Sequence, residues 1–97
     1  MIGKMIILKT NGTKEIKNYS AAVPLEDIQA AVGGYAEWLP TIKEFEGQPA
    51  CVYCDEEGKF KSYKPNPFMR VHNDIVILGD ISVVTGDSEF MESHLRG

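Results

Sequence analysis

Cys51 and Cys54 in "ACVYC" have two residues between them, the spacing of a redox pair or of half a zinc site. The setting argues against both chemistries. The stretch is β-prone, and residues three apart on a strand project to opposite faces, so the thiols do not converge on one ion or close an unstrained disulfide. A tetrahedral zinc site needs four ligands, and His72 and His94 have no recognisable spacing to the cysteines. Buried strand cysteines are the favoured reading, and no metal or cofactor is expected. The carboxylates Glu37, Asp55, Glu56, Asp74, Asp80 and Asp87 offer general acid–base chemistry. Simpler roles are at hand: Asp55 and Glu56 fall in a turn, Asp74 precedes a strand, and Asp80 and Asp87 follow glycines. With no paired nucleophile and base and no glycine-rich phosphate loop, no catalytic residue is assigned. Glu37, amid Tyr35, Ala36 and Trp38, is the carboxylate expected to be least solvated.

The segment from Gly58 to Asn73 carries Lys59, Lys61, Lys64 and Arg70, interleaved with Phe60, Tyr63 and Phe68, and has no acidic residue. Cations beside aromatic faces suit a nucleotide or a single-stranded nucleic acid, whose phosphates take the charge while bases stack on rings. The candidate ligand-binding residues are therefore Lys59, Lys61, Tyr63, Lys64, Asn66 and Arg70, with Trp38 as an aromatic contact. A plainer and favoured alternative is a solvated strand with lysines outward and aromatics packed inward. Trp38, the single tryptophan, reads first as core filler; on a partner-binding surface it would be a hot spot.

The whole chain sets limits on these sites. A net charge of -4 leaves no general affinity for duplex nucleic acid or an anionic membrane, so any anion site must be local. Ninety-seven residues make one domain, 1–97, of a size at which self-association buries useful surface, and a homo-oligomer is expected. The apolar run in "MIGKMIILKT" is too short for a signal core or a membrane span, and two cysteines suit a reducing compartment. A cytoplasmic protein is expected.

Several elements must position the candidate residues. "KMIILKT" and "KEIKNYS" flank Asn11-Gly12 and predict a hairpin whose second strand is partly exposed. Pro24 fits the first turn of a helix, with Glu26 and Asp27 at its positive end and Leu25, Ile28 and Val32 as its apolar stripe. Gly33-Gly34 permits a left-handed cap and an immediate reversal into a short strand limited by Pro40. "ACVYC", the turn "DEEGK" and "KFKSYK" predict a second hairpin, ended by Pro65-Asn66-Pro67. "DIVILGDISVVTGD" is the most apolar segment and should occupy the middle of the sheet, Gly79-Asp80 being a turn or a bulge. Residues 88–97 could form a C-terminal helix or arm, with Ser88 as cap and Phe90, Met91 and Leu95 as its apolar face. The fold class is α+β: a curved, mainly antiparallel sheet with one short helix packed across it.

In order along the chain, "LEDIQAAVGGYAEWL", "VYCDEEGKFK", "KPNP" and "DIVILGDISVVTG" resemble the DUF3846 domain, a family of small proteins of unassigned function found in phages, plasmids and mobile elements of bacteria. The family's turn often has Asn where this chain has Cys54-Asp55, and "FMRVHN" departs from its plainer stretch. The resemblance carries over no site residue. It implies an α+β fold and an origin in a phage or mobile element, within a bacterial host cell. The function expected is non-catalytic binding, inhibiting a host defence system through a nucleotide signal or a host protein. A single-stranded nucleic-acid module, or a small enzyme using the acidic residues, is the alternative.

Overall fold

The computed structural model of the protein describes residues 1–69, 71–72 and 75–96. Strand order follows from which segments are apolar on both faces. In β8 (Ile81–Gly86) every residue from Ile81 to Thr85 is buried, and this strand takes the centre. It runs antiparallel to β1 (Gly3–Leu8) on one side and to β5 (Gln48–Asp55) on the other. β2 (Lys14–Tyr19), exposed along nearly its whole length, forms one edge beside β1. At the other edge β3 (Ala36–Trp38) pairs with the end of β5, and β4 (Glu44–Phe45) pairs with its start. The path β2-β1-β8-β5-β3 makes an α+β domain with an antiparallel sheet, as expected. The sheet is open where a curved one was expected, since its edge strands β2 and β3 do not pair with each other.

Alternation along the strands sorts side chains into two cores. Met5, Ile7, Cys51 and Val84 face one side, where Ile28 of helix α1 (Leu25–Val32) and Phe90 and Met91 of helix α2 (Ser88–Arg96) cover them. Ile6, Leu8, Val52, Ile81 and Val83 face the other, where Ile42, Ile77, Phe68 and Met69 come from connecting segments. Cys51 and Cys54 are free thiols on opposite faces. Burial pushes the Cys51 thiol up; burial, then Glu37 and Asp55, push Cys54 up to about 11. Neither is a ready thiolate at neutral pH.

Four expectations need correction. The fold has two α-helices where one was expected, because Asp87 caps a second: its Oδ1 accepts the Phe90 N–H at 2.8 Å, a role assigned to Ser88 from sequence. Leu25 and Leu95 are exposed, so the apolar stripes of the helices reduce to Ile28 with Val32 and to Phe90 with Met91. "KFKSYK" is not a strand: β3 and β8 already occupy both flanks of β5, and the chain leaves the sheet through a 3₁₀ turn at Gly58–Phe60. Only the second half of "DIVILGDISVV" lies in the main sheet. Ile75–Val76 (β7) pairs instead with Val71–His72 (β6) in a two-stranded ribbon. The break comes at Gly79, whose φ of 86° lies in the left-handed region and whose N–H donates to Lys64 O at 2.9 Å.

His94 is buried on the helix side, its ring stacked on Phe90 and its Nε2 2.8 Å from the Tyr53 hydroxyl, while its Nδ1 has no partner among the described residues. Burial holds its pKa below the ordinary histidine value. The unfolded chain therefore binds the proton more readily, and stability falls as pH drops through about 6.5, the unfolded value, toward the lower folded one. Urea midpoints measured from pH 7.5 to 5.5 should decline for the native protein. The slope should flatten in His94→Gln; an unchanged slope there would assign the effect elsewhere.

Candidate functional site

Two of the candidate residues, Lys61 and Tyr63, meet at one carboxylate. Asp55 ends β5, and its side chain is 1% exposed. One oxygen, Oδ2, accepts from Lys61 Nζ at 2.6 Å and from the Tyr63 hydroxyl at 2.9 Å; the other, Oδ1, accepts the Glu57 N–H at 2.9 Å. Burial alone would raise its pKa, but Lys61, the Glu57 N–H and Tyr63 outweigh it and hold the group below the usual carboxylate range. Lys61 is shifted upward, first by its hydrogen bond to Asp55. These contacts fold residues 56–63 back against the end of β5, which is why the segment is not a hairpin arm.

Lys61 reaches further. Its Nζ also donates to Gly33 O at 3.2 Å, so the ammonium sits at the negative, C-terminal end of α1. The helix ends there because Gly33 adopts φ 86° and, with Gly34, returns its N–H to Gln29 O. A Cβ on Gly34 would lie 2.8 Å from Asp55 Oδ2 and 2.9 Å from Lys61 Nζ, so the second glycine lets helix and carboxylate approach. The Gly-Gly join thus serves the Asp55 cluster as well as the reversal into β3.

Two hollows flank this helix end and share Ala30 as a lining residue. The first, about 470 Å³, is bounded by the last turn of α1, by Thr10 and Asn11, by Ser62, Tyr63 and Lys64, and by Gly79 and Asp80. The second, about 420 Å³, is bounded by Gln29, Gly34, Tyr35, Glu57 and Lys61. Tyr35 is 67% exposed, leaving its ring open. Each hollow is lined by a lysine and a carboxylate: Lys64 and Asp80 in the first, Lys61 and Glu57 in the second.

Of the sequence candidates, Lys61, Tyr63 and Lys64 come together here. Asn66 does not: it is fully buried and donates from Nδ2 to Leu8 O at 2.8 Å and to Gly79 O at 2.9 Å, while its Oδ1 accepts the Phe68 N–H. It binds strand ends, not ligand. Trp38 stands apart and is 51% exposed, which overturns its reading as core filler. It borders an apolar groove of about 520 Å³ with Pro40, Ile42, Met91 and Leu95. Arg70 and Asp74 lie outside the described residues, as do the side chains of Lys59 and His72. Phe68 is half-buried and lies under Lys14, whose Nζ is 5.5 Å from the ring centroid. Glu37 is exposed on β3, not shielded by its aromatic neighbours. Asp80 latches the first hairpin, its Oδ1 accepting the Thr10 N–H at 2.9 Å. Among the described residues no three His, Cys, Asp or Glu side chains gather as a metal site requires, and no helix is long and apolar enough to cross a membrane.

Asp55 is the residue that sequence reasoning missed, having been assigned to a turn. One signal was present: Asp55 continues the alternation of "CVYCD", and Lys61 and Tyr63 follow within reach of a tight reversal.

An antiparallel sheet with two helices on one face and a polar cleft at a helix end defines a small α+β domain. Over residues 4–94 the sequence matches the model of the family described as Domain of unknown function (DUF3846), and the chain belongs to that family. No curated protein and no solved structure matches it.

The Asp55 cluster and the separate contacts of Asn66 predict distinct mutational outcomes. Tyr63→Phe removes one hydrogen bond to a charged acceptor and should cost about 1.5 kcal/mol. Asp55, with its lowered folded pKa, adds stability that is complete above the unfolded carboxylate value and is lost as pH falls through the folded value. The acid-unfolding midpoint of Tyr63→Phe should accordingly move to higher pH. Asn66→Ala strands two buried carbonyls and an N–H and should cost about 3 kcal/mol or more. Urea denaturation at pH 7 and acid titration followed by circular dichroism check both.

Proposed function

We propose that this chain is a non-catalytic binding protein that takes a small ligand in the paired hollows at the C-terminal end of α1. One observation carries the proposal: a single buried carboxylate draws Lys61 and Tyr63 to a helix end where two concave, partly polar spaces adjoin. Sites of this size and mixed lining suit a ligand of nucleoside scale. A protein of phage or mobile-element origin, acting in the cytoplasm of a bacterial host, would use such a site to sequester a signal nucleotide of a defence system. The single-stranded nucleic-acid alternative draws less support, because Lys61 and Tyr63 are committed to Asp55.

A second reading, docking on a host protein, is favoured by Trp38. A half-exposed tryptophan over an apolar groove edged by exposed Leu95 has the composition of an interface hot spot.

Native mass spectrometry of the protein purified from cells reports a retained small molecule and the subunit number together. The small-ligand reading expects a retained adduct that Lys64→Ala weakens at least tenfold and Trp38→Ala leaves unchanged. No adduct, together with a host-protein complex that Trp38→Ala abolishes, would replace it with the second reading.

A further inference from the structure

The larger hollow is richer in acceptors than in charge. Carbonyl groups of an α-helix point toward its C-terminal end, and the last ones have no partner within the helix. In α1, Gly33 and Gly34 both return their N–H groups to Gln29 O, and Lys61 satisfies Gly33 O. Among the described residues, no donor meets the carbonyls of Ala30, Ala31 and Val32, and all three residues line the hollow. Asp80 stands on the opposite wall with Oδ1 engaged by the Thr10 N–H and Oδ2 without a hydrogen bond among the described residues. Among the described residues, the facing wall offers a single cation, Lys64. Three carbonyls and a carboxylate against one ammonium repel a polyphosphate and attract N–H donors.

We infer that this hollow recognises the amino end of its ligand: a planar ring bearing an exocyclic amine, neutral or carrying one negative charge that Lys64 accepts. The inference rests on the small-ligand reading above and narrows it. The adjoining hollow suits the rest of such a molecule, since Tyr35 presents an open ring there. Triphosphates are disfavoured for a physical reason: the neighbouring lysine, Lys61, is already neutralised by Asp55 and lies beside Glu57.

Amide chemical shifts of the whole chain, titrated with adenosine, inosine, ATP and inorganic phosphate, test this directly. Adenosine should shift Ala31, Val32, Ser62 and Asp80. Inosine, which has a carbonyl in place of the amine, should bind at least tenfold more weakly. Asp80→Asn keeps an oxygen for Thr10 but removes the charge and adds a competing donor, and should weaken adenosine about tenfold while leaving the urea midpoint near that of the native protein. If ATP or phosphate instead binds more tightly than adenosine at the same residues, weakens with salt, and gains from Asp80→Asn, the hollow is a ligand site but the amine inference is wrong. If no probe shifts these residues, the inference falls together with the small-ligand reading.

Discussion

A carboxylate buried at the end of a central strand is costly unless donors surround it, and that constraint organises one whole end of this molecule. Asp55 is satisfied by an ammonium, a phenol and a backbone N–H, all from the eight residues that follow it. Meeting that demand bends the chain away from the sheet, brings Lys61 onto the carbonyl of Gly33, which caps α1, and requires a residue without a side chain at Gly34. Helix end, reversal and cleft are therefore one structure. Without the carboxylate, Lys61 would lose its partner and the wall between the two hollows would lose its anchor.

The far side of the sheet obeys a related constraint. Leu8, at the end of β1, and Gly79, just before β8, are buried, and their carbonyls call for donors there. Asn66 serves both and, through its own oxygen, fixes the turn that follows. The segment from Pro65 to Leu78 is thus held by polar contacts at its start, while Phe68, Met69 and Ile77 seal the second core. An asparagine offered as a ligand contact is instead a rivet between strand ends.

What could be read from sequence followed periodicity. The first hairpin, the helix capped at Gly33 and the centrality of "ISVVT" are local patterns, and the structure has them. The opposite-face placement of the cysteines follows from strand geometry alone. What could not be read depended on occupancy and on long-range partners. "KFKSYK" alternates like a strand, yet both edges of its would-be partner were taken by segments far away in sequence. Asp55 looks like a turn residue until the burial of its strand is known. Trp38 has the character of core, but a three-residue edge strand cannot bury it. Lysines in an acidic chain suggested an anion site; the pairing of Lys61 with Asp55, and the presence of Glu57 and Asp80 in the same hollows, show that the count of cations matters less than the carboxylates around them.

The earliest strand completes its pairing only with the last. β1 lies between β2 and β8, and Asp87, which starts α2, also accepts the Ile2 N–H. During synthesis the first hairpin therefore leaves the ribosome with its inner edge open and its apolar row uncovered until more than sixty further residues have been made. Such topology delays cooperative folding until β8 has been made.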